Sequence, residues 1–285
     1  MGTISKAMNK VAPQNEAKAD QPAPTQGHSP STPHAKKDKV HIDSNLIADV
    51  QEGNIEAWDE RLKKVAMNPA LIAEEIRRIR NKILHPPSNK KIRSILITSA
   101  IPGEGKSFIC ANLGISTALG VEKNAILVDS DLRRPTLAPM FGLKNDLGLV
   151  NYLYSGVDLS QLIRKTGQPK LSLIPSGPPP ANPSELLDST RMTGLIDELS
   201  QRYEDRLLFL DSPPMQIAAE TALLADYVDA VIVVVRWGHA TEDQVKELTS
   251  AIGKEKILGI VFNAFETNII ESRFQKIKGQ EKYYT

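Results

Sequence analysis

Residues 93–107 read Arg93-Ser94-Ile95-Leu96-Ile97-Thr98-Ser99-Ala100-Ile101-Pro102-Gly103-Glu104-Gly105-Lys106-Ser107. Ile95 to Thr98 is short, β-branched and apolar on both faces, the composition of a strand inside a parallel sheet covered by helices on each side. Ala100 to Ser107 follows with the phosphate-loop spacing of Gly, four residues and Gly-Lys-Ser/Thr, the small Ala100 standing in for the first glycine. Gly103 and Gly105 let backbone N–H groups curl round phosphate oxygens. The helix that follows offers its positive end. Lys106 reaches the β- and γ-phosphates as a point charge, and Ser107 is a Mg²⁺ ligand. Pro102, Gly103, Glu104, Gly105, Lys106, Ser107 and Phe108 are therefore expected to form a nucleotide cradle.

Outward from this loop the same alternation repeats. Ala125 to Val128, Leu207 to Leu210, Val231 to Val235 and Ile257 to Phe262 are further strands apolar on both faces, with a weaker one at Leu171 to Ile174. Between them Ser107 to Leu119, Pro183 to Tyr203, Gln216 to Ala225 and Thr241 to Ile252 read as helices. Asn182, Pro183 and Glu185 supply a cap, an N1 proline and an N3 glutamate. The expected fold is α/β, an open and mostly parallel sheet whose sites lie at the carboxyl ends of its strands. Two strands end in acid: Ile126-Leu127-Val128 runs into Asp129-Ser130-Asp131-Leu132-Arg133, and Leu207-Leu208-Phe209-Leu210 into Asp211. Carboxylates there are placed to hold Mg²⁺ beside a phosphate loop.

The flanks differ. Residues 1–40 contain no Leu, Phe, Tyr or Trp and carry five prolines, so they are expected to be a disordered tail. Residues 41–87 turn helical, with Ile55, Trp58, Leu62 and Val65, and then a stripe of Ile72, Ile76, Ile79 and Ile83 spaced four, three and four. Glu74, Arg77 and Arg80 lie on the polar side of that stripe. Residues 88–270 form the sheet domain, and 271–285 a flexible tail ending in Tyr283-Tyr284-Thr285.

Composition excludes several classes. With 35 Lys and Arg against 34 Asp and Glu the net charge is +1, which gives no support to nucleic-acid binding. A single cysteine, Cys110, rules out a disulfide framework and fits a reducing cytoplasm. The longest clean apolar run, Ala230 to Val235, is far short of the ~20 residues of a spanning helix.

At these residues the chain resembles the bacterial tyrosine kinases of exopolysaccharide and capsule assembly, in particular the free-standing cytoplasmic kinases that pair with a chain-length-determinant membrane protein. The resemblance rests on the Walker A stretch Ser99 to Ser107, the Walker A′ stretch Ile126 to Arg133, the Walker B stretch Leu207 to Pro214, the loop Pro175 to Leu187, and Glu-x-x-Arg-x-x-Arg at Glu74, Arg77 and Arg80. It implies a MinD/ParA-like P-loop NTPase fold, ATP and Mg²⁺ as cofactors, and Lys106, Asp129, Asp131, Arg133 and Asp211 as catalytic residues. Ser107, Asp131 and Asp211 would hold the metal, and Asp129 would accept the tyrosine proton. Tyr283 and Tyr284 would be the phosphoacceptors, a reduced cluster for this family. Glu74, Arg77 and Arg80 would build a ring of subunits. A membrane activator on a separate chain and a cognate tyrosine phosphatase are the implied partners, with recruitment from the cytoplasm to the inner membrane.

Three alternatives stay open in the sequence. Arg133 pairs either with phosphate or with a neighbouring carboxylate. Asn263, after the last strand, either touches adenine or simply forms a turn. The chain itself is either the kinase or a MinD/ParA-type switch ATPase, although Ile101 stands where those ATPases carry a signature lysine. Tyr152, Tyr154, Tyr203 and Tyr227 are expected to be packing residues.

Overall fold

A computed structural model describes residues 53–68, 74–86, 91–202 and 205–263. The expected tail 1–40, Ile72, Tyr203, Tyr283 and Tyr284 lie outside those residues. The described chain runs through α1 (Glu60–Met67), α2 (Glu74–Leu84), β1 (Ser94–Thr98), α3 (Lys106–Leu119), β2 (Asn124–Asp129), α4 (Leu137–Met140), α5 (Leu149–Ser155), β3 (Arg164–Lys165) and β4 (Leu171–Ile174). It continues through α6 (Pro183–Leu187), α7 (Thr190–Arg202), β5 (Arg206–Asp211), α8 (Glu220–Tyr227), β6 (Ala230–Arg236), α9 (Glu242–Ile252) and β7 (Ile257–Asn263).

Seven strands form one sheet in the order β3-β4-β2-β5-β1-β6-β7, parallel throughout except for the antiparallel pair β3–β4. Side chains alternate between its faces, and both faces are apolar, as the uninterrupted hydrophobic runs required. Ile95, Ile97, Leu127, Phe209 and Ile232 point into a core closed by α1, α2 and α3 through Leu62, Ile76, Ile83 and Leu113. Leu96, Ile126, Leu208, Val231 and Val233 point into a second core closed by α5, α7, α8 and α9. The helical segment before β1 thus shares the core of the sheet. Trp58, just ahead of α1, anchors it by donating its indole N–H to Thr166 O at 2.8 Å and meeting Phe141 edge to face.

The expected helix over Pro183 to Tyr203 is two helices. Ser189 divides them: its hydroxyl donates to Leu186 O at 2.6 Å and accepts the Met192 N–H at 3.3 Å, ending α6 and capping α7 in the way serine side chains compete with the helix ladder. Asn182 does precede α6, but its side chain makes no cap bond and donates instead to Glu185 Oε2. The helix expected over Gln216 to Ala225 begins as a 3₁₀ turn, Met215–Ile217, and becomes α-helical only at Glu220. Tyr154 corrects the packing expectation, since it is 79% exposed, whereas Tyr152 and Tyr227 pack on the second core.

Candidate active site at the carboxyl edge of the sheet

Strands β1, β2 and β5 are neighbours at the centre of the sheet, so their carboxyl ends bring the loop after β1 and the acids after β2 and β5 together. Asp129 and Asp211 are partners in the β2–β5 register. The phosphate loop turns into α3 at Gly105, which adopts a left-handed φ of 89° and offers no side chain to cap the first turn. No acid occupies that first turn either. A helix start so arranged leaves its N–H groups and its positive end for an anion.

Lys106 bends back from the start of α3. Its ammonium lies 2.9 Å from Asp131 Oδ2 and 3.9 Å from Asp211 Oδ1. Burial alone would lower its pKa, but the charges of Asp211, Asp131 and Asp129 outweigh that and hold it above the ordinary lysine value. Asp131 also accepts the Arg134 N–H through Oδ1 at 3.1 Å.

The two strand-end carboxylates are fully buried. Asp129 Oδ2 accepts the Thr136 and Leu137 N–H groups at 3.0 and 2.9 Å, capping the short α4, while its Oδ1 has no hydrogen-bond partner. Neither Asp211 oxygen meets hydrogen-bond geometry with a protein donor. Burial pushes the Asp211 carboxyl up to about 6, against the pull of Lys106 and the Ser107 hydroxyl. Burial, then the Asp211 charge, pushes Asp129 well above the carboxylate range. Three buried carboxylate oxygens without a hydrogen bond are costly in a folded chain; the Lys106 ammonium 3.9 Å from Asp211 Oδ1 offsets part of that cost, and a further cation or a proton would offset more.

Those oxygens fit Mg²⁺, a hard cation that takes carboxylate and hydroxyl oxygens and keeps much of its shell for water and substrate phosphates. Among the described residues no group of three or more His, Cys, Asp or Glu forms an all-protein metal cage, which is the arrangement a shared, phosphate-bridged Mg²⁺ does not need.

Other expected site residues are placed differently. Arg133 resolves its alternative toward carboxylate: its guanidinium contacts Glu220 Oε1 at 3.1 Å and Ser184 Oγ at 3.0 Å. The buried Glu220 escaped sequence reading because nothing in its spacing ties it to Arg133. Asn263 donates its Nδ2–H to Glu104 O at 2.9 Å, so its amide grips the phosphate loop. Glu104 gives the cradle its backbone only, because its carboxylate is buried behind the loop. Phe108 packs at the border of the first core under Arg61, 5.1 Å from its ring centre. Pro102 is half-buried at the loop's tip.

Away from the edge, α2 carries the expected assembly residues. Glu74 and Arg77 lie on its surface 3.6 Å apart. Arg80 does not join them: its Nη1 donates to Ser116 O at 2.9 Å, near the carboxyl end of α3.

No family model matches the chain. It is 34% identical over 196 residues to tyrosine-protein kinase YwqD of Bacillus subtilis, across 68% of this chain and 81% of that protein. It is 32% identical over 198 residues to tyrosine-protein kinase ptk of Acinetobacter johnsonii, where it spans 70% of this chain and only 26% of the longer relative. Among solved structures, the chimerical protein CapA2B2 shares 32% identity with a TM-score of 0.66, covering 76% of this chain and 96% of that one. The kinase domain of Escherichia coli tyrosine kinase ETK shares 28% identity at the same TM-score, covering 72% and 81%.

Proposed function

The chain belongs to the bacterial tyrosine-protein kinases, and from that premise we propose that it transfers the γ-phosphoryl group of ATP to tyrosines in its own tail, Tyr283 and Tyr284, and through them regulates the polymerisation, export and length of an exopolysaccharide. The observation that carries the chemistry is the pair of buried strand-end carboxylates, Asp129 and Asp211, with three oxygens that make no hydrogen bond and the Lys106 ammonium 3.9 Å from Asp211. Phosphoryl transfer is mostly positioning and charge neutralisation, and this site is built for both.

In this reading Lys106 leaves Asp131 to meet the β- and γ-phosphates, while the N–H groups of Gly103 to Ser107 wrap them. Ser107, Asp131 and Asp211 would hold Mg²⁺, which would supply the positive charge that offsets the negative charge of the transferred group and of the leaving ADP. The Oδ1 of Asp129, ionised once a cation offsets the neighbouring charges, accepts the phenolic proton as the tyrosine oxygen bonds to phosphorus and the bond from that phosphorus to the β-phosphate oxygen breaks, releasing ADP. Arg133 stays on Glu220 and steadies the loop after β2.

The same proposal includes a ring of subunits joined through α2, with each tail reaching a neighbour's site. It also includes an activator on a separate membrane chain, a cognate phosphatase and recruitment from the cytoplasm. Among the described residues no helix is long and apolar enough to cross a membrane. The rival, a switch ATPase acting by nucleotide-dependent recruitment, makes no phosphotyrosine. Incubation with labelled ATP and Mg²⁺ followed by phosphoamino-acid analysis decides between them: phosphotyrosine is expected, and ATP hydrolysis without it would overturn the kinase reading.

A further inference from the structure

Glu104 is the only acid within the loop from Ala100 to Ser107. Facing the cradle, its charge would repel a triphosphate; instead the side chain is fully buried on the far side of the loop. There Oε2 accepts the backbone N–H of Arg236, the last residue of β6, and Oε1 accepts the Nδ1–H of His239 at 2.8 Å. Asn263, the last residue of β7, donates to the Glu104 carbonyl at 2.9 Å. The turn carrying His239 is itself fixed, because His239 N–H donates to Arg236 O and Trp237 N–H to Asn263 O.

The grip closes on both glycines. A Cβ on Gly105 would come 2.2 Å from Asn263 Nδ2, and one on Gly103 would come 3.4 Å from His239 Cε1. Both glycines hold positive φ, 82° and 89°, a conformation that free glycine populates no more readily than its mirror. The turn after β5 holds the start of the loop, where Gln216 N–H donates to Ala100 O, whereas the contacts at Gly103, Glu104 and Gly105 come from the ends of β6 and β7.

We propose that Glu104 and His239 are positioning residues that clamp the phosphate loop in its nucleotide-receiving shape, so that the turn after β6 sets affinity for the nucleotide's phosphates. The inference rests on the nucleotide-binding part of the function proposed above. Neither side chain faces the phosphates; each acts through the backbone amides of the loop from Gly103 to Gly105. The His239 side chain is 44% exposed, so its replacement leaves the cores untouched.

Titration calorimetry of the full chain with Mg·ADP, alongside KM and kcat for ATP and thermal melts, tests this. His239→Ala removes one hydrogen bond to a buried carboxylate. It is expected to weaken Mg·ADP binding and raise the ATP KM about tenfold, with kcat changing less than KM. His239→Asn, which keeps an N–H donor near the same place, should recover most of the loss. Glu104→Gln, which cannot accept from both donors, should weaken binding at least as much as His239→Ala. A His239→Ala protein that melts lower but binds Mg·ADP within twofold of wild type would reduce the clamp to a packing contact, and equal losses in the Ala and Asn variants would also overturn it. Because binding is read without turnover, a wild-type protein that binds Mg·ADP but makes no phosphotyrosine would sink the kinase reading and leave the clamp standing.

Discussion

The carboxyl edge of the sheet and the outer face of α2 both collect charged side chains, and they treat them in opposite ways. At the edge Asp129 and Asp211 are fully buried, make no hydrogen bond through three of their four oxygens and have raised pKa values. On α2, Glu74 and Arg77 stand in solvent 59% and 39% exposed, with a loose contact of the kind worth tenths of a kcal/mol. Burial makes each charge at the edge an energetic liability, which the proposed Mg²⁺ would relieve. Exposure makes the Glu74–Arg77 contact worth little to stability. Substitutions at the edge should therefore change chemistry and stability together; those on α2 should separate assembly from stability.

Lys106→Met breaks the edge most completely. The side chain that answers three carboxylates and two phosphates is lost, and phosphotyrosine formation should fall on the order of a thousandfold or more, with Mg·ATP affinity lost in calorimetry. Unchanged autophosphorylation would remove the phosphate loop from the mechanism.

Asp211→Asn should split the two consequences of burial. Turnover is expected to drop about a hundredfold at fixed Mg²⁺ as a metal ligand is lost. The nucleotide-free protein should become more stable near neutral pH, by on the order of 3 kcal/mol. The sign follows from the raised pKa. Because Asp211 titrates near 6 when folded and near 3.8 when unfolded, the native state holds the extra proton between those values, and stability falls as pH rises through that window. Urea unfolding at pH 5 and pH 8 checks it. The wild-type protein should lose more than the variant on going to pH 8, and a variant that is less stable than wild type at pH 8 would contradict the cost assigned to the buried charge.

Smaller effects test α2. Arg80→Ala should cost about 1–2 kcal/mol in urea unfolding, because it frees the Ser116 carbonyl at the negative end of α3. Arg77→Glu should move stability by no more than about 0.5 kcal/mol. Any loss of self-association in that second variant, read by light scattering, then reports assembly alone. If Arg77→Glu associates as wild type does, α2 is not the contact between subunits.

The strands, the phosphate loop and the strand-end acids were readable in the sequence because each carries its own local signature: apolar runs with alternating faces, glycines at fixed offsets, and acid directly after a buried strand. What was not readable depends on partners far along the chain. Four-residue α4 and two-residue β3 are too short to show a period. Arg80 looks like any solvated arginine of an amphipathic helix until α3 places Ser116 O beside it. Glu104 reads as a loop residue beside the nucleotide, and only the ends of β6 and β7 reveal that it faces the other way. The break at Ser189 was visible in Asp188-Ser189-Thr190, three residues that favour helix ends.

The register that pairs Asp129 with Asp211 also sets when the site can come into existence. Ser130 Oγ donates to Asp211 O across 81 residues of sequence, and β1 itself sits between β5 and β6. A chain emerging amino end first presents its phosphate loop early, yet has no Asp211, no contacts from Arg236, His239 and Asn263 and no flanking strands until β5, β6 and β7 are made. Pairings of such long separation are the slow ones in folding. Nucleotide recognition should therefore appear as one of the last events of refolding, so that a fluorescent nucleotide reports completed folding where circular dichroism reports only the helices.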